Sequence, residues 1–400
     1  MRISTLQLYT QGLLAIQDQQ AKLQRTELQL ASGLRFNNPS EDPAAAVKVL
    51  SLSARIDRID QYTRNATLAE SSLAFEEGVV ANAQTTLQRI RELVIQGNND
   101  TNAGSARSSI AQEINQRLDE LLALANTRDA QGEYIFAGFR VESPPFVESG
   151  GTVQYQGDQG QRMLQIGDGK QVAIRDNGQE VFVNIPGGDG VIQVDVAATN
   201  SGTAVVGSFG LTGSYTPDTY TVTFSQPTPA DPATYAVTDG GGSTIATGNY
   251  QEGASISFAG VQFAVTGTPA DGDEIAVSPA GNQDIFATIR SIADALAQPT
   301  PDAASTARFH NEMNRGLANL DQAMERISSV RAGIGARLNN IETLSEVNAD
   351  FKLQLQSTLS DTQDLDFTEA IARFNRQLTS LEAAQQAYVR TTGLTLFQYI

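Results

Sequence analysis

Residues Asp366 to Tyr388 read DFTEAIARFNRQLTSLEAAQQAY, and apolar side chains return at Ile371, Phe374, Leu378, Leu381 and Tyr388, with Gln385 filling the one polar place. The steps alternate three and four residues. This is the a/d pattern of a helix that packs along another helix. Asp366 followed three residues later by Glu369 has the form of a capping box, which starts the helix there. Near the N-terminus a matching seam runs through Tyr9, Ile16, Leu23 and Leu30, one every seven residues, with Leu6 and Leu13 beside it. The two seams predict helices of similar length that need a partner.

A longer helix lies inside each seam helix. Gly33 to Pro39 break the first seam, and Asp42 then offers an N-cap, with Pro43 at the first helical position. Apolar residues continue from Val47 through Leu50, Ile56, Ile59, Leu68, Phe75, Leu87 and Ile90 to Val94, and the run stops at Gly97-Asn98-Asn99-Asp100. At 1.5 Å per residue such a helix spans about 80 Å, a rod rather than a compact bundle. A third helix carries Ile110, Ile114, Leu118, Leu121 and Leu122. Helical spacing resumes at Ile285, Phe286, Ile289, Ile292 and Leu296 and is interrupted by Pro299 and Pro301. It then runs long through Phe309, Met313, Leu317, Leu320, Met324, Ile327, Val330, Ile334, Leu338 and Ile341.

Between these flanks the composition changes. Residues 150–281 hold 23 of the 34 glycines, and residues 140–281 carry 15 acids against four bases. Tyr220-Thr221-Val222-Thr223-Phe224, Ile256-Ser257-Phe258 and Val261 to Val265 alternate strictly, as do Val194 to Val196 and Ile275 to Val277. Gly, Asp, Pro and Asn clusters separate them, so the middle reads as an antiparallel β domain with one wet face. The predicted fold is α+β: a long antiparallel α-helical coiled-coil rod built from both termini, with an inserted antiparallel β domain. Its parts are a seam helix in 1–38 that pairs with 362–400, rod segments in 39–139 and 282–361, and the β insertion in 140–281.

Composition excludes several chemistries. The chain has no Cys and one His, His310, so disulfides, thiolate sites and multi-His metal sites are ruled out. Twenty-seven basic residues against 45 acidic give a net charge of −18, which argues against a nucleic-acid or anionic-membrane surface. No apolar run reaches the roughly 20 residues of a membrane span. The N-terminus is too polar for a signal-peptide core. Its plain reading is cytoplasmic, and the other is export without a cleaved signal.

Gly169-Lys170 lacks the rest of a phosphate loop, and Gly187-Gly188-Asp189-Gly190 reads as a turn rather than a calcium repeat. Asp271-Gly272-Asp273-Glu274 lacks the spaced ligands of a calcium loop and reads as a hairpin turn with a solvated face. His310 reads as an ordinary surface or helix-packing residue. Glu76-Glu77 and Asp57/Asp60 read as solvated intrahelical ion pairs beside Arg55, Arg58 and Arg64. The reading is therefore non-enzymatic, with no cofactor and no metal.

Only the seams ask for a partner. They are either the core of a monomeric coiled coil or an assembly surface. Short isolated helices are marginal in water, and five of the last seven residues, Leu394 to Ile400, are apolar. The expected assembly interface is Leu6, Leu13, Ile16, Leu23, Leu30, Ile371, Phe374, Leu378, Leu381, Tyr388, Leu396, Phe397 and Tyr399. A glycan-binding or adhesive module in the β insertion is a separate alternative.

Residues Leu30 to Ala45, LASGLRFNNPSEDPAA, resemble the N-terminal signature of flagellar axial proteins of the flagellin group. Pro39 with Asp42-Pro43, the start Met1-Arg2-Ile3-Ser4-Thr5 and the ending Leu394 to Ile400 are more similar to the hook–filament junction members than to filament subunits. Arg128 to Gly138 resembles that group's passage from helix to strand. Phe258-Ala259-Gly260 through Asp273 and Asn282 to Phe286 resemble the return. Glu41 departs mildly, standing where the group commonly has Asp.

The resemblance covers both flanks, and residues 150–250 match nothing nameable. It implies a structural subunit exported unfolded, with a chaperone, through the flagellar type III apparatus to the extracellular flagellum. There it would form a ring of identical subunits on hook-associated protein 1 and template flagellin, the terminal helices lining an inner tube and the β domain facing outward. A flagellin-type filament subunit is the alternative, because the middle region is long for a junction member.

Overall fold

The computed structural model describes residues 5–99, 104–228 and 231–393. The chain divides into two compact units, one of residues 1–65 and 343–400, the other of residues 66–342. Three helices come first: α1 (Thr5–Ser32), α2 (Pro43–Gly97) and α3 (Gly104–Ala125). Then follow β1 (Phe146–Ser149), β2 (Thr152–Tyr155), β3 (Met163–Gly167), β4 (Lys170–Ala173), a π-helical turn (Gln179–Val183), β5 (Ile185–Pro186), β6 (Ile192–Val196) and β7 (Val205–Leu211). The next strands are β8 (Tyr220–Ser225), β9 (Thr234–Thr238), β10 (Thr244–Asn249), β11 (Ser255–Phe258), β12 (Val261–Thr266), β13 (Glu274–Pro279) and β14 (Asn282–Gln283). The chain returns to helix with α4 (Ile285–Ala297), α5 (Ala303–Gln363) and α6 (Phe367–Gly393). Long helical terminal regions with an antiparallel β domain inserted between them are the fold.

In the first unit α1 pairs with α6, and the first part of α2 pairs with the last part of α5. Leu52 and Ile59 pack with Leu355, flanked by Ile56 and Leu359, and Lys352 forms an ion pair with Asp60. Asp42 caps α2 by accepting the Ala45 N–H at 2.9 Å. Asp366 caps α6, accepting from Thr368 and Glu369 at 2.9 and 3.1 Å. The Glu369 carboxylate does not close the expected capping box; it accepts from Arg373 one turn on, at 2.7 Å. The two interhelix loops are stitched together by backbone hydrogen bonds: Arg35 donates to Gln363 O at 2.8 Å and Leu365 to Gly33 O at 2.9 Å. Gly33 adopts φ +73° here, a left-handed helix end that a side chain would strain.

In the second unit α2 and α5 run antiparallel. Leu73, Val80, Leu87 and Val94 repeat every seven residues on α2, and Met313, Leu320, Ile327, Ile334 and Ile341 do so on α5; all are buried. The antiparallel order is marked by Glu77 with Arg331 (2.6 Å), Arg91 with Asp321 (2.6 Å) and Asn98 with Asn314 (3.3 Å). Glu77 is thus a cross-helix partner rather than part of an intrahelical pair. The same holds for Asp60 in the first unit. Glu76, expected to be solvated, is fully buried. The helical spacing that put it beside Glu77 also turns it toward the interior.

The inserted strands are all antiparallel. Two sheets, ordered β10-β9-β8-β13-β6 and β11-β12-β7, enclose one apolar core that includes Val222, Phe224, Phe263, Val265 and Ile275. Strand β7 ends its sheet beside α5. There Asn311 Oδ1 accepts the Val206 N–H at 2.8 Å, while Asn311 and Asn314 donate to Ala204 O and Val206 O at 2.9 Å. Side-chain amides one helical turn apart thus stand in for a neighbouring strand. A second apolar centre joins Phe136, Phe146, Phe182 and Phe286, with ring centroids 5.2 to 6.0 Å apart.

Candidate assembly interface

The α1–α6 seam in the structure is half polar. On α1 the inward row is Tyr9, Gly12, Ile16, Gln19, Leu23, Thr26 and Leu30, alternating three and four residues. The Tyr9 and Tyr388 rings meet edge to face with centroids 6.5 Å apart. A β-carbon at Gly12 would lie only 2.9 Å from Tyr388 Cδ2, so glycine permits the close approach. Thr26 Oγ1 donates to Gln377 Oε1 at 2.8 Å, and Gln19 Nε2 donates to Gln377 O at 3.4 Å.

On α6 the inward row is Ala370, Phe374, Gln377, Leu381, Ala384 and Tyr388. Phe374, Leu381 and Tyr388 are the residues whose spacing announced the seam. Ile371 and Leu378 are exposed and flank it instead, with Ala370, Gln377 and Ala384 taking the other inward places. Small and amide side chains carry no apolar signal, so the register read from large residues alone is shifted by one position at every other step.

Both helices therefore keep a second apolar strip. On α1, Leu14, Ala21 and Leu28 are exposed at heptad spacing, on the far side of the helix from Ile16 and Leu23, with Leu13 also exposed. The sequence carries this second seven-residue row as plainly as the first, and its exposure among the described residues is what makes it informative. On α6 the strip is Ile371 and Leu378, with Phe367 and Val389 exposed near its ends. In the same unit Val47, Leu50, Val347, Phe351 and Leu353 also face solvent. Among the described residues this unit carries most of the exposed large apolar side chains, although it is much the smaller. Concentrated apolar exposure marks an interaction surface.

Of the expected interface residues, Ile16, Leu23, Leu30, Phe374 and Tyr388 are half-buried in the α1–α6 seam and Leu381 is buried there. Leu13, Ile371 and Leu378 are exposed. The side chain of Leu6, and all of Leu396, Phe397 and Tyr399, lie outside the described residues. His310 faces Asn98, Nδ1 to Oδ1 2.7 Å, in helix packing. Asp273 directs its carboxylate to the N–H groups of Ser201, Gly202 and Ala270 at 2.8 to 3.0 Å, and Asp189 directs its own to Val191 and Ile192. These carboxylates shape turns; Asp273 is buried rather than solvated, and its turn links β12 to β13 in the other sheet rather than closing a hairpin, because its carboxylate is taken up by backbone N–H groups. No described helix is long and apolar enough to cross a membrane.

The paired terminal helices are those of a flagellin-type axial protein: the bacterial flagellin N-terminal helical region matches residues 3–140 and the bacterial flagellin C-terminal helical region residues 317–400. Flagellar hook-associated protein 3 of Escherichia coli K12 is 27% identical over 402 residues, covering 100% of this chain and 99% of that protein. The crystal structure of flagellar hook-associated protein 3 from Legionella pneumophila is 33% identical, with a TM-score of 0.75 over 78% of this chain and 98% of that one. FlgL of Xanthomonas campestris follows at 31% identity and a TM-score of 0.71, over 77% and 99%. The chain belongs to the flagellar hook-associated protein 3 (FlgL) family. It is homologous to the hook–filament junction protein of the flagellum, and these relatives are structural flagellar components.

Proposed function

We propose that this protein is a junction subunit that joins flagellar hook to filament as a ring of identical copies. It sits on hook-associated protein 1 and presents the surface on which flagellin starts to assemble. The reading includes export through the flagellar type III apparatus, with a chaperone, and a structural rather than enzymatic role. The observation that carries it is the second apolar strip on α1 and α6. Each helix has one row for its partner within the subunit and another that stays exposed among the described residues. Neighbouring copies supply the missing apolar surface, so residues 1–38 and 362–400 form the assembly module and the acidic insertion 140–281 faces outward.

The half-polar inner seam has a further consequence. A seam containing Gly12, Gln19, Thr26 and Gln377 offsets little of the ordering entropy of two helices of 28 and 27 residues. Ordering of α1 and α6 is therefore coupled to assembly. Immunogold labelling of intact flagella with an antibody to residues 150–270 tests the position. A single label at the hook–filament boundary is expected. Label along the whole filament overturns the junction reading in favour of a filament subunit.

A further inference from the structure

Glu76 is a carboxyl set in an apolar row. Ala69, Glu76, Ala83 and Ile90 follow one another at heptad spacing on α2, and all four are fully buried. Glu76 Oε1 accepts the backbone N–H of Asp176 at 2.9 Å. Glu76 Oε2 is shut away from solvent with no hydrogen-bond partner. Asp176 lies on the segment between β4 and the π-helical turn, and its carboxylate pairs with Arg337 of α5. Its neighbour Arg175 pairs with Asp129 and Glu133, and Arg162 meets Glu133 at 3.0 Å.

The charged groups facing Glu76 are thus Asp176 and Arg175 from the connecting segment and Arg337 from α5. Asp129, Glu133 and Arg162 stand behind Arg175. Three guanidiniums answer three carboxylates, and the set is neutral only while Glu76 keeps its proton. Ionised, Glu76 would place an unmatched charge and a bare oxygen in a dry helix interior. Burial is the main cause that lifts its carboxyl from 4.5 to about 8, and the Asp176 charge adds to it. The Asp176 N–H, Arg337 and Arg175 pull the other way.

We propose that Glu76 is a proton-held latch: as a neutral acid it fastens the 174–184 segment to α2 and α5, and on losing its proton it lets that segment go. Phe182 rides on this segment and fills the aromatic centre with Phe136, Phe146 and Phe286. Opening the latch therefore loosens the entry to the inserted strands while the β8–β13 core stays packed. The proposal does not depend on where the subunit sits in the flagellum.

The test is hydrogen exchange of the full chain between pH 6 and pH 10, each rate divided by its intrinsic value. Peptides over 174–184 are expected to lose protection tenfold or more as pH passes about 8, while peptides over 255–266 hold theirs. Glu76→Gln, neutral at every pH, is expected to keep 174–184 protected throughout. Constant protection in the wild type, or the same loss in Glu76→Gln, overturns the proposal. Infrared difference spectra of the wild type give a second readout that survives a misfolded variant. A protonated carboxyl band present at pH 7 and lost near pH 8 supports the latch. Its absence at pH 7, or its persistence at pH 10, overturns it.

Discussion

Leu378→Asp separates assembly from folding. Leu378 is 39% exposed in the subunit, flanking the α1–α6 seam rather than filling it. Full burial of a leucine is worth about 1.5–3 kcal/mol, so roughly 0.6–1.2 kcal/mol is left to be gained when a neighbouring copy covers it. Leu378→Ala forfeits at most that amount, about three- to eightfold per contact. Aspartate adds the cost of taking an unpaired carboxylate out of water at the same place, several kcal/mol even after relaxation. Two to three orders of magnitude are therefore lost at each such contact.

Within the isolated subunit the substitution weakens only the α1–α6 pairing, where Leu378 is partly covered, so the β domain and the α2–α5 pairing are unaffected. The assay is complementation of a strain lacking its own copy, counting filaments by electron microscopy and measuring subunit released into the medium. Few or no filaments with released, folded Leu378→Asp subunit are expected. Leu378→Ala retains most filaments. Wild-type filament numbers with Leu378→Asp would refute the assignment of this strip to an intersubunit contact.

Other outcomes follow from the same geometry. In isolated subunit, amides of α1 and α6 exchange far faster than those of α2 between residues 73 and 94; full protection of the terminal pair contradicts coupled ordering. Asn311→Leu leaves the Val206 N–H and Ala204 O without their partners and lowers stability by about 1–3 kcal/mol in denaturant unfolding; a change below about 0.5 kcal/mol removes the strand-capping role. Ala259 sits at φ 45° in the two-residue turn between β11 and β12, so Ala259→Asn raises stability by about 0.5–1 kcal/mol, and a lowered melting temperature counts against the strain. The folded chain holds a proton on Glu76 that the unfolded chain releases above 4.5, so stability is full at lower pH, falls toward about 8 and then levels. The linked loss is on the order of 5 kcal/mol. Wild type minus Glu76→Gln isolates it, and a flat difference across that range argues against the raised carboxyl.

The long helices were legible because heptad rows of large apolar residues are periodic enough to survive without tertiary information. Met313 to Ile341 needed nothing more than spacing. The strands Tyr220–Phe224 and Val261–Val265 were legible through alternation. Strand β7 was not, because Gly207, Ser208 and Gly210 break the pattern in a strand whose edge is satisfied by α5 side chains. The α6 seam was read one position off at Ile371 and Leu378, since Ala370 and Gln377 fit an inward place without advertising it. Glu76 and Glu77 are chemically alike and adjacent. Only the row Ala69, Ala83 and Ile90 tells that one of them points inward, and a heptad count through small residues would have found it.

The hydrogen bond between Thr26 and Gln377 joins residues 351 positions apart in the chain. Closing so long a span costs only slightly more than closing a short one, because the entropy grows with the logarithm of its length. The consequence is one of timing rather than stability. A chain that arrives end first cannot join α1 to α6 until the opposite end has also arrived, whereas each hairpin of the insertion can form from a few consecutive residues within microseconds. The sticky part of the subunit is thus the last to close, and this chain order keeps its paired apolar strips from maturing before the whole chain is present.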